Sequence, residues 1–298
     1  MKPPNLKTKV FVDSGDPDET REMIKLLGFL DGQTTNPTLI SKNPEARERI
    51  EKGEKFTKEE ILRFYKEIVQ EISGLIPEGS VSVEVYADKN TRTEEMIEQG
   101  REMFSWIPNA HIKFPTTAEG LKAARKAIDE GMRVNMTLCF TQEQAAAVYA
   151  ATSGAKKGDV FVSPFIGRLD DRGENGMNLI ENILRMYKGG DESGSGILYE
   201  PDSHVEVLTA SVRSLAHFLY ALHLESHIIT SPFKILKEWA EEKNFMPDDN
   251  FVYDSANLDP IVYKDLNLEQ DWSVFDISHE LTDKGIERFS EDWNALIK

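Results

Sequence analysis

Short apolar runs rich in β-branched residues alternate with amphipathic stretches along most of the chain. The runs predict eight strands, at residues 9–13, 30–34, 81–86, 111–114, 132–137, 160–165, 205–211 and 226–230. Helical periodicity follows each run, at residues 18–28, 57–75, 93–106, 118–130, 142–152, 178–188, 213–221 and 232–243. Alternating strands and helices build a parallel sheet. The pattern therefore predicts an α/β fold, a closed (β/α)8 TIM barrel with its site at the carboxyl ends of the strands.

Alternation within each strand separates its residues into two faces, because successive side chains point to opposite sides of a sheet. Valines such as Val10, Val12 and Val83 form an apolar face that fits the helix layer. The opposite face then points into the barrel. It carries Asp13, Glu84, Lys113, Asn135, Thr137, Ser163 and Phe165.

Lys113 is the most informative of these residues, since it lies within a run of strand-forming residues. Burial of an ammonium group is costly, and the usual escape is loss of the proton. The neutral amine that results can attack a carbonyl carbon. Lys113 is therefore our leading candidate for a Schiff-base nucleophile.

Each of these polar residues also has a structural interpretation. Asp13 could cap a helix, Glu84 could pair with a neighbouring cation, and Lys113 could be ion-paired in the core. Together, however, they would impose several desolvation penalties on one end of the barrel, and apolar residues would avoid those penalties. We therefore interpret the group as a site.

The length and composition fit one large domain. The chain has 298 residues, of which 40% are hydrophobic and 29% are charged, and a single barrel of this class takes about 250 residues. We assign residues 1–244 to the catalytic barrel. Residues 245–298 form a C-terminal arm and terminal helix of the same domain, packed on the barrel or on a neighbouring subunit. We expect a homo-oligomer.

The net charge of -17 argues against a nucleic-acid partner, because phosphate backbones are bound by clustered lysines and arginines. No stretch approaches the roughly 18 apolar residues of a membrane span, and the amino terminus lacks the apolar run of a signal peptide. We expect a cytoplasmic protein without a membrane partner. Cys139 is the only cysteine, and we expect it to be a small buried thiol.

Five segments resemble blocks of the transaldolase family, in the order of that family. Residues 31–40, DGQTTNPTLI, resemble its first signature, and residues 112–121, IKFPTTAEGL, resemble the second, which contains the Schiff-base lysine. Three further blocks are similar to residues 135–138, 163–168 and 210–213. Residues 281–293 resemble the terminal helix of the smaller members. The resemblance thus covers nearly the whole chain.

The resemblance implies roles for the interior residues. Lys113 would form an imine with a ketose phosphate, Glu84 and Thr137 would hold a water that shuttles protons, and Asp13 would exchange a proton with the C4 hydroxyl. The residues implied to bind the substrate are Asn36, Asn135, Ser163, Phe165, Arg168, Ser211 and Arg213. The two arginines and Ser211 would hold the phosphate. Asn36 also fits a turn before Pro37, and Arg213 also fits a surface ion pair.

The resemblance implies transfer of a dihydroxyacetone unit between phosphorylated sugars. The related fructose-6-phosphate aldolases usually carry glutamine and tyrosine where this chain has Glu84 and Phe165, so we favour transfer over aldol cleavage. A barrel that binds sugar phosphates without turnover is a further alternative. We expect no cofactor and no metal, because the six histidines lack ligand spacing.

Three segments depart from the family pattern. Phe114 stands where the family generally has a smaller aliphatic residue, and its face points it toward the helices. Residues 42–56 are a charged insertion, which we interpret as a solvated surface loop in preference to a mobile flap. Residues 189–196 are rich in glycine and predict a flexible connection.

Overall fold

The computed structural model describes residues 2–189, 203–248 and 250–298. Within these residues eight parallel strands close into a barrel in chain order. The strands are β1 (Lys9–Asp13), β2 (Gly32–Thr34), β3 (Ser80–Glu84), β4 (Ala110–Pro115), β5 (Val134–Cys139), β6 (Val160–Pro164), β7 (Val205–Thr209) and β8 (Ile228–Ser231). The predicted TIM barrel is confirmed.

Helices surround the barrel. They are α1 (Pro17–Leu27), α2 (Pro37–Ser41), α3 (Pro44–Glu51), α4 (Lys58–Leu75), α5 (Thr93–Phe104), α6 (Ala118–Asp129), α7 (Gln142–Ala151), α8 (Ile166–Asp170), α9 (Gly176–Tyr187), α10 (Leu215–His223), α11 (Phe233–Glu241) and α12 (Glu280–Ala295). A 3-10 turn spans Trp272–Val274. The predicted helices are present, and α2, α3 and α8 are additional to the prediction. None of the described helices is long and apolar enough to cross a membrane.

Local sequence signals explain where the long helix α4 begins and which face it buries. The Thr57 hydroxyl accepts a hydrogen bond from the Glu60 amide at 3.2 Å, while the Glu60 carboxylate accepts one from the Thr57 amide at 2.8 Å. This reciprocal capping satisfies two amides that a helix start leaves without partners. The apolar residues then recur at helical spacing and are buried against the barrel.

Aromatic rings close the amino-terminal end of the barrel. Phe11 meets Phe161 edge to face at 6.2 Å, and the His111 ring stacks on Phe161 at 4.0 Å. Gly32 makes room for them, because a Cβ there would lie 2.5 Å from the Phe11 ring. Burial lowers the pKa of His111 to about 3, so this ring is neutral. These rings fill the amino-terminal end of the barrel interior.

The outward faces of the strands pack against the helices, as predicted. Phe114 is fully buried there, and a Cβ added to Gly100 of α5 would lie 3.0 Å from its ring. Cys139 is a buried free thiol, as expected, and burial raises its pKa to about 12.

The prediction for residues 42–56 holds in part: most of these residues are exposed at the surface, but the segment contains the helix α3 and is tied to the barrel. Asn43 is buried, caps α3 through Oδ1 and donates from Nδ2 to the Gly15 carbonyl at 2.8 Å. Phe56 is also buried, and its amide donates to the Leu296 carbonyl at 2.8 Å. The predicted glycine-rich connection lies outside the described residues from position 190 onward.

The C-terminal arm follows the outside of its own barrel. The Gln142 side chain of α7 donates to the Val262 carbonyl at 2.9 Å and accepts from the Lys264 amide at 2.9 Å. Asn182 of α9 donates to the Ile261 carbonyl at 2.8 Å. Polar side chains of α7 and α9 thus supply hydrogen-bond partners for backbone carbonyl and amide groups of the arm.

The terminal helix α12 lies across the carboxyl end of the barrel. The Thr282 hydroxyl donates to the Leu138 carbonyl at 3.0 Å, and Thr38 of α2 hydrogen bonds to Asp292. Gly285 allows the close approach, because a Cβ there would lie 2.5 Å from the Leu138 side chain. The helix therefore forms one wall of the space above the strands.

Candidate active site

A cavity of about 390 Å³ opens at the carboxyl ends of the strands, which is within the usual range for small-molecule sites. Its walls come from strand ends, from α2 and α8, and from α12. Of the predicted site residues, Asp13, Asn36, Lys113, Thr137, Ser163, Phe165, Arg168, Ser211 and Arg213 line it. Glu84 and Asn135 do not line it and lie behind its wall.

Lys113 lies on β4 with its side chain inside the barrel, as the alternation predicts. Its Nζ lies 2.7 Å from Glu84 Oε2 and donates a hydrogen bond to the Thr35 carbonyl at 3.0 Å. Both charged side chains are about 5% exposed. The two side chains meet because Glu84 of β3 and Lys113 of β4 lie side by side in the register of the two neighbouring strands. The structural interpretation of Lys113 as an ion-paired lysine is realised in this resting site.

The environment of Glu84 favours proton uptake. Burial raises the pKa of this carboxyl, and the neighbouring Lys113 lowers it by a smaller amount, so the net direction is upward. Tyr65 supports the segment, since its hydroxyl accepts from the Glu84 amide at 2.9 Å and hydrogen bonds to Thr35 at 2.6 Å. A carboxylate of raised pKa beside an ammonium group is a suitable proton acceptor.

Asp13 lies at the end of β1 and lines the cavity. Its Oδ1 accepts a hydrogen bond from the Thr34 hydroxyl at 2.6 Å, and the Thr230 hydroxyl lies 2.5 Å from Thr34. Burial raises the pKa of Asp13, and the charge of Lys113 partly offsets this rise. This chain of hydroxyls orients the carboxylate of Asp13.

Thr137 lies on β5 and lines the cavity. Its hydroxyl is buried and has no hydrogen-bond partner among the described residues, which leaves it free to bind water or substrate. A second, small cavity of about 10 Å³ lies beside Glu84, Leu138 and Phe289. A space of this size holds on the order of one water molecule.

The polar residues proposed to hold the substrate lie at two depths. Asn36 caps α2 by accepting from the Leu39 amide at 2.9 Å and also lines the cavity, so both interpretations of this residue apply. Asn135 is completely buried, donates to Ser82 at 3.1 Å and accepts from Ser163 at 2.6 Å. Ser163 therefore lines the cavity, and Asn135 lies beneath it and accepts its hydrogen bond.

Arg168 projects from the short helix α8 into the cavity. Its guanidinium lies between two aromatic rings, 5.5 Å from the centre of Phe165 and 5.6 Å from that of Phe289. Burial, followed by repulsion from Arg213, lowers the pKa of Arg168 from its usual value. Guanidinium groups stay protonated in proteins, so the cavity holds a desolvated cation suited to an anionic ligand.

Ser211 and Arg213 form the opposite side of this cationic region. Ser211 has φ of 60°, a left-handed backbone that costs a residue other than glycine of order 1–3 kcal/mol. Arg213 precedes α10 by two residues, and its guanidinium pairs with Asp171 at 3.1 Å. The side chain is about half exposed, so the interpretation as a surface ion pair also applies.

Several residues of the cavity were absent from the predicted set. They are Thr34, Thr38, Leu39, Lys42, Leu208, Ala210, Val212, Thr230, Pro232, Arg288 and Phe289. Thr34 lies two residues after Gly32 in β2, so both residues lie on the same face of the strand, which faces the barrel interior. Alternation along the strand could therefore have identified Thr34 as a residue of the cavity. Lys42 and Arg288 come from helices that fold over the mouth, and strand periodicity carries no signal for them.

The fold and the site together define a (β/α)8 barrel with a buried lysine–carboxylate pair and a cationic region at its carboxyl end. The family model described as Transaldolase/Fructose-6-phosphate aldolase matches residues 10–298. The chain belongs to this family.

Curated relatives carry the name "Probable transaldolase". One from Dehalococcoides mccartyi is 34% identical over 290 residues, which cover 97% of this chain and 100% of the relative. One from Thermoanaerobacter sp. is 35% identical over 285 residues, with 96% of both chains covered. One from Thermoplasma volcanium is 33% identical over 288 residues, with 97% of this chain and 96% of the relative covered. The resemblance found in the sequence is therefore confirmed.

Proposed function

We propose that this protein is a transaldolase of the pentose phosphate pathway in the cytoplasm. It would transfer a dihydroxyacetone unit from fructose 6-phosphate or sedoheptulose 7-phosphate to erythrose 4-phosphate or glyceraldehyde 3-phosphate. One observation carries the proposal, namely Lys113 Nζ at 2.7 Å from Glu84 Oε2, with Lys113 lining a cavity that Asp13 and Arg168 also line. A nucleophile, a proton acceptor and an anion-binding group are thereby available to one substrate.

The reaction would begin with a proton transfer from Lys113 to Glu84. The neutral amine attacks the C2 carbonyl of the ketose phosphate, and the carbonyl oxygen takes up the proton that the attacking nitrogen loses, which gives a carbinolamine. Glu84 then protonates the carbinolamine hydroxyl through one water that Thr137 holds, and water leaves as the imine forms. The Thr137 hydroxyl, which lines the main cavity and has no hydrogen-bond partner among the described residues, supports this arrangement.

Carbon–carbon cleavage would follow with Asp13 as the base. Asp13 takes the proton of the C4 hydroxyl, the C3–C4 bond breaks, and its electron pair moves toward the positive imine nitrogen. The products are an aldose phosphate and an enamine bound to Lys113. When an acceptor aldehyde arrives, C3 attacks it and Asp13 returns the proton to the new hydroxyl. Hydrolysis of the imine then releases the new ketose and restores the amine of Lys113.

The remaining residues would hold the two ends of the substrate. Asn36 and Ser163 hydrogen bond the hydroxyls of the dihydroxyacetone unit, and Asn135 supports Ser163 from below. Arg168, Arg213 and Ser211 bind the phosphate, for which a planar guanidinium supplies paired donors. Retention of the three-carbon unit separates transfer from simple cleavage.

The composition of the site favours transfer over aldol cleavage. Phe165 offers no hydroxyl that could position a water for protonation of the enamine, and its ring faces Arg168 and Phe140. The enamine is therefore protected until an aldehyde enters. Rapid release of glyceraldehyde 3-phosphate from fructose 6-phosphate without an acceptor would instead support an aldolase.

Reductive trapping tests the covalent step. The protein is incubated with fructose 6-phosphate and borohydride, and the modified peptide is located by mass spectrometry. We expect a single adduct on Lys113. An adduct on another lysine, or complete absence of an adduct, contradicts the mechanism.

A coupled assay then separates the two reactions. Formation of glyceraldehyde 3-phosphate from fructose 6-phosphate is followed with and without erythrose 4-phosphate. We expect the rate to depend on the acceptor. An equal rate without acceptor contradicts the assignment as a transferase and leaves the imine chemistry intact.

A further inference from the structure

A polar cluster adjoins the two segments that carry Arg168 and Arg213, and its histidine is buried while its other two residues are partly buried. It consists of Asp170 at the end of α8, His217 on α10 and Tyr253 on the C-terminal arm. His217 Nε2 lies 2.7 Å from Asp170 Oδ2 and 2.8 Å from the Tyr253 hydroxyl. The Tyr253 hydroxyl donates to Asp170 Oδ2 at 3.2 Å. The proposed reaction uses none of these three side chains.

The partners of His217 fix its protonation. The backbone N–H of Arg213 donates a hydrogen bond to His217 Nδ1 at 3.2 Å. Since a backbone N–H group cannot accept a hydrogen bond, Nδ1 must be the acceptor and carries no proton. Nε2 must then carry the proton, and it faces the carboxylate of Asp170. Burial, followed by the charge of Asp170, raises the pKa of Tyr253, so its hydroxyl remains a donor. All three groups are satisfied within one closed set of hydrogen bonds.

This set joins both sides of the cationic region. Asp170 Oδ1 also accepts from the Gly176 amide at 2.9 Å, which fixes the end of the helix that carries Arg168. His217 fixes the backbone of Arg213, two residues after the strained Ser211. The two segments are in direct contact, since the Gly167 amide donates to the Ser211 carbonyl at 3.1 Å. A strained backbone persists only where its surroundings over-determine it.

We propose that Tyr253 is a positioning residue, through which the C-terminal arm holds Arg168 and the Ser211–Arg213 segment in the geometry that binds phosphate. This inference rests on the proposed function only for the identity of the phosphorylated ligand. Tyr253 does not touch the substrate. It acts through Asp170 and His217, whose side chains are 15% and 7% exposed.

The substitution Tyr253→Phe isolates the hydroxyl. The ring of Tyr253 stacks on Tyr220 at 5.2 Å with an interplanar angle of 18°, and phenylalanine keeps this contact. Tyr220→Phe is the matched control, because the Tyr220 hydroxyl has no hydrogen-bond partner among the described residues. Both variants lose one hydroxyl from the same stacked pair.

Binding of inorganic phosphate is measured by calorimetry for the full-length protein and for both variants. We expect Tyr253→Phe to weaken phosphate binding about tenfold, the size expected when a hydrogen bond to a charged group is lost. Tyr220→Phe should bind as the unchanged protein does. Equal affinity in Tyr253→Phe, or no phosphate binding by the unchanged protein, would overturn the inference.

Kinetics provide the second readout. For Tyr253→Phe we expect KM for fructose 6-phosphate to rise about tenfold with little change in kcat, while kcat/KM for unphosphorylated fructose stays the same. An equal loss for both sugars would indicate a general structural defect and would overturn the inference. If the lysine trapping fails, the proposed function falls, and the phosphate titration still decides the role of Tyr253.

Discussion

At the scale of single residues, the alternation of side chains in the strands predicted the interior positions of Asp13, Glu84 and Lys113. It did not predict their hydrogen-bond partners. The Thr35 carbonyl and the Tyr65 hydroxyl meet Lys113 and Glu84 through register and helix docking, and these depend on contacts far apart in the sequence. The sequence was therefore sufficient to predict which residues lie in the barrel interior. Their hydrogen-bond partners could be identified only from the structure.

The nucleophile gives the first prediction. Lys113→Arg should reduce transfer about 10³-fold or more, because a guanidinium stays protonated and cannot attack a carbonyl. The assay is acceptor-dependent release of glyceraldehyde 3-phosphate.

Lys9→Arg is the control for this substitution. Lys9 is a lysine of β1 that pairs with Glu206 at 2.9 Å, at the other end of the barrel. It should retain activity. Substantial turnover by Lys113→Arg would disprove the role of this amine.

His111 gives a prediction about stability and pH. The unfolded chain binds a proton at this residue near pH 6.5, whereas the folded chain does so only near pH 3. The free energy of unfolding should therefore fall as the pH decreases from 6.5 toward 3, by up to about 1.4 kcal/mol per pH unit from this group. Above pH 6.5 this contribution is fully present.

Urea titrations from pH 7 to pH 4 test the His111 contribution. His111→Phe keeps a ring against Phe161 and cannot titrate, so it should lose less stability across this range than the unchanged protein. His223→Phe, which replaces a half-exposed histidine of α10, is the control. Identical pH profiles for His111→Phe and the unchanged protein would show that the buried ring does not titrate as inferred.

At the scale of elements, the strands and long helices followed from periodicity, while α2, α3 and α8 did not. Two of these short helices carried a readable signal, since Asn36-Pro37 and Asn43-Pro44 each place a capping residue before proline at the first helical position. Helix α8 begins after Phe165, which makes no side-chain cap. Its formation depends on contact with the Ser211 segment, and a local pattern could not reveal it.

Two helical glycines give opposite predictions. Gly74 of α4 is exposed, and a Cβ there would meet nothing within 4 Å. Gly74→Ala should therefore raise the free energy of unfolding by about 0.5–1 kcal/mol. At Gly285 of α12 a Cβ would lie 2.5 Å from Leu138 and 3.0 Å from Arg168, so alanine forces these two side chains to shift.

Calorimetric melting and steady-state kinetics distinguish these variants. Gly285→Ala should lower Tm and raise KM for fructose 6-phosphate, because the added methyl group displaces the side chains of Leu138 and Arg168. Gly74→Ala should raise Tm and leave KM unchanged. A melting temperature for Gly285→Ala at or above that of the unchanged protein would show that α12 is not held as tightly as its contacts indicate.

At the scale of the whole molecule, the barrel was predictable and the course of the arm was not. The contacts of the arm join residues more than a hundred positions apart, such as Gln142 with Val262 and Lys264. They use backbone carbonyls and amides, which every residue carries, so the sequence has no marker for them. Trp272 is half-buried and Phe275 is buried, although the sequence alone left their exposure open.

The attachment of the arm can be weakened at one residue. Gln142→Ala removes both hydrogen bonds to the arm and should lower the free energy of unfolding by about 1–3 kcal/mol. It should also speed proteolytic cleavage near residues 262–264. Gln70→Ala is the control, since Gln70 makes a single longer bond of 3.3 Å to the Trp106 carbonyl. Cleavage at the same rate in both variants would contradict an arm anchored through Gln142.

The rings of Phe11, His111 and Phe161 fill the amino-terminal end of the barrel interior, and the active-site cavity opens at the carboxyl end. Under the proposed function, the outgoing aldose and its replacement would both pass through this opening. Between the two half-reactions the three-carbon unit would stay on Lys113 as the enamine. We therefore expect double-displacement kinetics, with a family of parallel reciprocal plots.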